Sequence, residues 1–391
     1  MSKFLDLPAW TWNNMKTSFV DYYSKNNISP VSQDISDIEK HYQRRESLFL
    51  SIGIMPNLVK GKSVIEFGPG SGHNALYTAS LSPSIYHLVD GNPKGVSETQ
   101  NLLKGAPVED LKVDLCLFDE FQSSNQYDIV WAEGCLPHQK DPFPLMKHIS
   151  TFTAENGCMV VTTNDSISYL SETLRRLVKE FYVVESSSLE QQLQNLTPIF
   201  EPHLKKLKGM SRPVEDWILD SIIQPLEEVE LLSIPEVIQC LSSDFDVLGS
   251  SPKFITDWRW YKDVVGEDRQ FNQIVLNAYY KNNLNLLDYR FEFPPHSVEF
   301  GKRLEKECVK TWSLMKKIQK TEEGWNELWV VLENISVIID EFAPQSAAAI
   351  REASLWLQNE APSHQILQHF PSWWGRGQQY VSLIKKNEQH N

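Results

Sequence analysis

Three glycines stand at alternate positions in the stretch Lys62-Ser-Val-Ile-Glu-Phe-Gly-Pro-Gly-Ser-Gly-His-Asn-Ala75. The residues before them, 63–67, are mostly apolar and include a β-branched pair, which is typical of a buried parallel strand. Gly68, Gly70 and Gly72 let the backbone turn tightly and let a ligand lie against it. A helix predicted over 73–81 points its free N–H groups back at the turn. The pattern therefore predicts a nucleotide-type site at the carboxyl edge of a sheet.

The nature of the nucleotide depends on the carboxylates near this turn. Gly70-x-Gly72-x-x-Ala75 matches the dinucleotide fingerprint, and Asp90 lies about 20 residues on, where a ribose-binding acid belongs. However, Glu66 would place a carboxylate beside a pyrophosphate, which is unfavourable, and Pro69 stiffens the turn. A ligand that carries an ammonium and a sulfonium would instead be attracted to Glu66. A nicotinamide-dependent oxidoreductase therefore stays a less favoured alternative.

Strand and helix patterns alternate around the turn. The predicted strands are 62–67, 85–90, 111–117, 127–131 and 158–163, and the predicted helices are 35–52, 73–81, 93–103 and 144–153. We expect Asp34 or Ser36 to cap the helix that begins near residue 35. Strands separated by helices form a parallel sheet with right-handed crossovers. The fold class predicted is α/β: a doubly wound, mostly parallel, Rossmann-like sheet with a large, mainly helical C-terminal insertion or second domain.

The remaining patterns suggest three regions. Residues 1–34 are rich in aromatic side chains and are expected to form a cap or a lid. Residues 35–249 are expected to form the ligand-binding domain, with a helical insertion at 165–240. Residues 250–391 are mainly helical, and 373–384 are interpreted as a strand that returns to the sheet.

Two aromatic clusters in the last region have two interpretations. The clusters are Trp258-Arg-Trp-Tyr261 and Trp373-Trp374. They suit stacking against a sugar, a flat ring or a cation, or they pack the sheet against the helices.

The motifs follow one another as in a known family. The stretch Val64 to Gly72 resembles the first motif of the class I S-adenosylmethionine-dependent methyltransferases, in which an acid precedes G-x-G-x-G. Later segments resemble the motifs of the second, third, fourth and fifth strands: His87-Leu-Val-Asp-Gly-Asn92, Val113-Asp-Leu115, Tyr127-Asp-Ile-Val-Trp-Ala-Glu133 and Gly157-Cys-Met-Val-Val161. Together they cover roughly 40–165, and the combination is far more specific than any one motif. The resemblance implies S-adenosyl-L-methionine as the cofactor.

The resemblance also implies residue roles. The residues assigned to the cofactor are Tyr42, Arg45, Glu66, Gly68, Gly70, Gly72, Asp90, Gly91, Asp114, Leu115 and Glu133. Among them, Asp90 would hold the ribose hydroxyls, and Arg45 would reach the cofactor's carboxylate. The competing interpretations are a solvated helix face for Arg45, a purely structural Glu66, and Asp119 in place of Asp114.

The segment after the fourth strand, 132–141, is where the transferring methyl group would sit in such a fold. His138 is the candidate catalytic base, because its ordinary pKa suits removal of a proton from an acceptor hydroxyl or amine. Glu133 is an alternative base. A loop histidine bonded to backbone is the competing interpretation of His138.

Composition limits the partners. The chain has 391 residues and a net charge of −14, which argues against a nucleic-acid groove or an anionic membrane surface as the main partner. Its five cysteines are scattered without a CxxC pair, so a reducing cytoplasm is expected. No signal peptide is indicated at the N-terminus. No His, Cys, Asp or Glu set has metal-ligand spacing.

These observations predict a methyltransferase that acts by in-line displacement on a polar small molecule, such as a sugar or a biosynthetic intermediate. A non-catalytic S-adenosylmethionine-binding scaffold with a helical protein-interaction region is the second hypothesis. The oligomeric state stays open, with a homo-oligomer as one alternative.

Overall fold

The computed structural model describes residues 35–137, 139–184, 186–210, 212–226 and 229–387. The predicted cap or lid, 1–34, and the candidate base His138 lie outside the described residues.

A single sheet organises the described part of the chain. Its strands are β1 (Ser63–Phe67), β2 (Ile85–Asp90), β3 (Asp110–Leu115), β4 (Tyr127–Ala132), β5 (Thr153–Thr163), β6 (Phe245–Ser251) and β7 (Gln379–Lys385). Their order across the sheet is β3-β2-β1-β4-β5-β7-β6. β7 pairs antiparallel with both β5 and β6, and the other pairings are parallel. The predicted fold class, a mostly parallel Rossmann-like sheet with a large helical C-terminal region, is confirmed.

Helices pack on both faces of the central strands, and alternate side chains of β1 and β4 therefore lie in two separate hydrophobic clusters. The α-helices are α1 (Ile38–Ser51), α2 (Ala75–Ser80), α3 (Pro93–Leu102), α4 (Pro142–Ser150), α5 (Leu170–Arg176), α6 (Lys179–Tyr182), α7 (Leu189–Leu204), α8 (Val214–Ile218), α9 (Ile234–Leu241), α10 (Phe271–Asn282), α11 (Val298–Thr321), α12 (Trp325–Ile339) and α13 (Pro344–Gln358). Among the described residues, no helix is both long and apolar enough to cross a bilayer.

The helix α1 lies on one face of the sheet. Its Phe49 ring stacks on Trp131 of β4 with ring centroids 4.8 Å apart. The N-cap is Asp37, whose carboxylate accepts a hydrogen bond from the Lys40 N–H at 3.0 Å. The expected caps, Asp34 and Ser36, were therefore wrong, because the helix begins three residues later than predicted.

Two of the parallel strands differ from their predicted ranges by two residues or more, and β7 begins at Gln379 rather than at residue 373. β5 begins at Thr153 rather than at residue 158, and it includes the turn-like Asn156 with φ of 57°. The pairing between β4 and β5 shifts register at this irregularity, and regular pairing resumes at Cys158. β3 ends at Leu115 rather than at residue 117.

The second half of the chain supplies helices and two strands. The helices α5 to α9 connect β5 to β6, and the helices α10 to α13 connect β6 to β7. The segment 379–385 thus lies inside the sheet, between β5 and β6. The division of the chain at residue 249 stays a prediction, although β6 itself runs to Ser251.

The two aromatic clusters have different environments. Trp373 and Trp374 are buried, as the packing interpretation expects. Trp258, Trp260 and Tyr261 are 92%, 60% and 72% exposed, so the packing interpretation is wrong for these three residues.

Candidate cofactor site

The glycine turn after β1 requires its glycines. Gly68, Gly70 and Gly72 have φ values of 82°, 57° and 81°, a region that other residues rarely adopt. A Cβ atom on Gly68 would lie 2.9 Å from the Glu133 carbonyl oxygen, and one on Gly72 would lie 2.8 Å from Oγ1 of Thr99. The turn is therefore packed closely between the end of β4 and the helix α3.

Asp90, at the end of β2, holds the turn from the other side. Its Oδ2 accepts the Gly70 N–H at 2.9 Å, and its Oδ1 accepts the Asn92 N–H at 2.8 Å. Burial raises the pKa of Asp90 to about 6, although these two hydrogen bonds oppose the shift. A carboxylate has about four acceptor positions, so two of them are left for the vicinal hydroxyls of a ribose. Gly91, which is also predicted to contact the cofactor, is the next residue in the chain after Asp90.

Glu66, near the end of β1, has one oxygen satisfied and one orphaned. The Tyr86 hydroxyl donates to Oε2, whereas the buried Oε1 has no hydrogen-bond partner. The residue is 1% exposed. Burial, and then the nearby Glu133 carboxylate, raise the pKa of Glu66 to about 7. A buried acceptor without a donor is costly, and a ligand cation would remove that cost.

Arg45 and Glu133 form a buried, bidentate ion pair. Nη1 of Arg45 donates to Oε1 of Glu133 at 2.8 Å, and Nη2 donates to Oε2 at 2.9 Å. The guanidinium also lies over the Trp131 ring, with Cζ 5.4 Å from the ring centroid. Arg45 is 5% exposed, so its interpretation as part of a solvated helix face is wrong.

Glu133 accepts three further hydrogen bonds. Nδ2 of Asn74 and the Tyr380 hydroxyl donate to Oε1 at 2.8 and 3.0 Å, and Nε1 of Trp131 donates to Oε2 at 2.6 Å. Burial alone would raise the pKa of Glu133, but the charge and hydrogen bonds of Arg45, with the hydrogen bonds from Tyr380 and Trp131, lower it. With five donors on two oxygens, Glu133 has no acceptor position left for a ligand or a proton. Glu133 is therefore a poor candidate for a base, and its role as a cofactor contact stays a prediction.

One donor of Arg45 is orphaned. Its Nε is buried and has no hydrogen-bond partner, while both terminal nitrogens are held by Glu133. The site thus offers an unsatisfied cationic donor and, on Glu66, an unsatisfied acidic acceptor. These two atoms complement the carboxylate and the ammonium of an α-amino acid, which S-adenosylmethionine carries. The residues present therefore fit this cofactor.

The other predicted contacts lie around this centre. The Tyr42 ring packs edge to face on Tyr77, with centroids 5.6 Å apart. Leu115 is level with Asp90 in the pairing of β2 and β3, where an adenine ring would be expected, and it is exposed. Asp114 contacts His87 instead, with Oδ2 2.8 Å from Nε2. The roles of Tyr42, Asp114 and Leu115 as cofactor contacts stay predictions.

Sequence reasoning missed several residues that shape the site. Asn74, Trp131 and Tyr380 lie in the predicted motifs or in the predicted last strand, but nothing local indicates that all three bond Glu133. His41 was also missed: its Nε2 lies 2.9 Å from the His73 carbonyl oxygen, which ties α1 to the glycine turn.

The comparisons with known proteins agree with this geometry. Residues 40–201 match the family model described as a methyltransferase domain. The ribosomal RNA small subunit methyltransferase G of Campylobacter jejuni subsp. doylei is 23% identical over 144 residues, which is 36% of this chain and 72% of the relative.

Solved structures are also similar to the chain. The N-methyltransferase NodS from Bradyrhizobium japonicum, in complex with S-adenosyl-L-homocysteine, is 14% identical over 34% of this chain and 66% of its own, with a TM-score of 0.27. PKMT2 from Rickettsia typhi is 14% identical over 71% of this chain and 50% of its own, with a TM-score of 0.39.

The sheet order, the glycine turn and the matching domain define the class. Residues 40–201 carry a methyltransferase domain, which is consistent with the class I S-adenosylmethionine-dependent methyltransferases. The chain is an S-adenosylmethionine-dependent methyltransferase, and S-adenosyl-L-methionine is its cofactor.

Proposed function

We propose that the protein transfers the methyl group of S-adenosylmethionine to a polar small molecule. The cofactor supplies an electrophilic methyl group on a sulfonium. The protein's own part is to hold the cofactor's amino-acid and ribose groups and to align the acceptor with that methyl group. We assign the binding of these cofactor groups to Arg45, Glu66 and Asp90. The observation that carries this assignment is that Nε of Arg45 and Oε1 of Glu66 are buried without a hydrogen-bond partner.

The polarity of the acceptor is inferred from the end of β5. Asn164 and Ser166 lie within three residues of the end of this strand, and both are buried. Oδ1 of Asn164 and Oγ of Ser166 have no hydrogen-bond partner. In a sheet of this class the acceptor lies over the carboxyl ends of the central strands. Buried orphan polar atoms at that edge favour an acceptor with hydroxyl or amine groups.

The exposed aromatic cluster supports an acceptor that contains a ring. β6 is parallel to β5, so the chain leaves β6 at the same edge of the sheet. Trp258, Trp260 and Tyr261 follow within ten residues of that point and are exposed. Their ring faces suit stacking on a sugar or a flat ring.

Two further assignments are proposals from the sequence. His138 stays the candidate base, because an acceptor hydroxyl or amine must lose a proton. We also infer a cytoplasmic enzyme, since all five cysteines are free thiols.

RNA is the second candidate acceptor. The Campylobacter relative is named as a ribosomal RNA methyltransferase, and its similarity covers 36% of this chain. The net charge of −14 opposes this candidate, because RNA binding depends on neutralising phosphates.

A transfer assay distinguishes the two acceptors. The wild-type enzyme is incubated with methyl-labelled S-adenosylmethionine and either the ultrafiltered small-molecule fraction or the total RNA of the source cells. We expect label in the small-molecule fraction, and we expect the Asp90→Asn variant to lose it. Label that enters RNA alone would contradict the proposal.

A further inference from the structure

The last strand of the described chain reaches into the cofactor site. Tyr380 of β7 donates its hydroxyl proton to Oε1 of Glu133 at 3.0 Å, although 247 positions separate the two residues. Tyr380 pairs with Thr162 of β5, and Glu133 follows directly after Ala132, which pairs with Val161. The phenol therefore reaches across β5 at the level of Thr162.

The Glu133 carboxylate joins four elements around the cofactor. Oε1 accepts from Arg45 of α1, from Asn74 beside the glycine turn and from Tyr380 of β7, and Oε2 accepts from Arg45 and from Trp131 of β4. Tyr380 is the only one of these donors that the C-terminal half of the chain provides. Burial, and then the Glu133 charge, raise the pKa of Tyr380, so the phenol stays a donor at neutral pH.

A second contact from β7 holds the end of α1. The Ser382 hydroxyl donates to the Ile52 carbonyl oxygen just beyond the helix. The backbone of β6 also abuts this point, because a Cβ atom on Gly249 would lie 2.7 Å from the same oxygen. The position of α1, and therefore of Arg45, thus depends on β6 and β7.

We propose that Tyr380 is a positioning residue of the cofactor site. It fixes the Glu133 carboxylate so that the Arg45 guanidinium keeps Nε directed at the cofactor's carboxylate. This inference rests on the proposed role of Arg45. It makes the affinity for the cofactor depend on the docking of β7.

The test is calorimetric titration of Tyr380→Phe with S-adenosylhomocysteine. Loss of a hydrogen bond to a charged group predicts binding about tenfold weaker than that of the wild type. The matched control is Tyr182→Phe, which removes a phenol hydrogen bond to the Ala361 carbonyl oxygen in the helical region. We expect the control to bind S-adenosylhomocysteine as the wild type does, even if both variants lower the melting temperature.

A second background separates positioning from direct contact. Arg45→Lys keeps the charge that pairs with Glu133 but removes the Nε donor. If Tyr380 acts through Arg45, adding Tyr380→Phe to Arg45→Lys weakens binding less than about twofold.

Three results would overturn the positioning role of Tyr380. A tenfold effect that persists in the Arg45→Lys background overturns the positioning role. Equal affinity of Tyr380→Phe and the control overturns it as well, while the wild type's own binding leaves the proposed function intact. A wild type that binds no S-adenosylhomocysteine overturns the proposed function and this inference together.

Discussion

Replacing Glu66 by glutamine tests the electrostatics of the site most sharply. The substitution keeps the shape of the side chain and removes its ability to ionise. We expect wild-type affinity for S-adenosylhomocysteine to rise with pH between 6 and 8, and we expect the Glu66→Gln variant to lose most of that dependence. The reason is that only the ionised carboxylate attracts the ligand's ammonium.

The magnitude follows from the pKa of Glu66, which burial and Glu133 raise to about 7. A group with this pKa is roughly one tenth ionised at pH 6 and nine tenths ionised at pH 8. The wild type should therefore bind about tenfold more tightly at pH 8 than at pH 6. Asp90, with its pKa raised to about 6, adds a smaller change at the acidic end, and the variant retains that part.

The stability of the ligand-free protein should change in the opposite direction. The Glu66 carboxyl has a folded-state pKa of about 7 against an ordinary value of 4.5, so the folded state holds its proton longer than the unfolded state. The free energy of unfolding therefore falls as pH rises from 4.5 to 7, by about 3 kcal/mol for the complete shift. The Glu66→Gln variant should not show this fall in the free energy of unfolding, because glutamine does not ionise.

The assay is titration calorimetry at pH 6, 7 and 8, with urea unfolding at pH 5, 6 and 7. A wild type and a Glu66→Gln variant with the same pH dependence of affinity would refute the role of Glu66. A ligand-free wild type whose stability rises from pH 5 to pH 7 by as much as the variant's would refute the raised pKa.

Three further substitutions test separate parts of the site. Asp90→Asn should weaken S-adenosylhomocysteine and adenosine alike, each at least tenfold by calorimetry, because both carry the ribose hydroxyls; a loss confined to S-adenosylhomocysteine would contradict the ribose role. Glu133→Gln should lower the free energy of unfolding by roughly 3–5 kcal/mol in urea, since it leaves Arg45 buried without its counter-charge; a change below about 1 kcal/mol would show that the pair is not a structural centre. Gly95→Ala should weaken the binding of S-adenosylhomocysteine several-fold, because the alanine Cβ atom would lie 2.7 Å from the Gly70 carbonyl oxygen. Unchanged binding would mean that the glycine turn can shift to accept the methyl group without loss of affinity.

Much of the fold could be predicted because its signals are local. Apolar runs mark the buried strands β1, β2 and β4, and helical periodicity marks the region after residue 250, where α10 to α13 lie, as mainly helical. The start of β5 was misplaced because Asn156 and Gly157 look like a turn, although they form an irregularity within the strand. A local pattern does not distinguish these two cases.

The site was predictable only as far as the motifs reach. The glycine turn, Glu66 and Asp90 lie within one strand–turn–helix unit and its neighbour, and their types alone suggest their chemistry. The role of Glu133 was not predictable, because its donors come from α1, the glycine turn, β4 and β7. This arrangement of donors depends on the sheet order, which places β7 beside β5. The sheet order cannot be predicted from any single segment of the sequence.

The central proposal is that Glu66 and Arg45 hold the amino-acid end of the cofactor. A crystal structure of the wild type with S-adenosylhomocysteine measures this. We predict the ligand's ammonium nitrogen within hydrogen-bond distance of Oε1 of Glu66, and a carboxylate oxygen within hydrogen-bond distance of Nε of Arg45. A ligand bound with its amino-acid end elsewhere, leaving both atoms without a partner, would contradict the account.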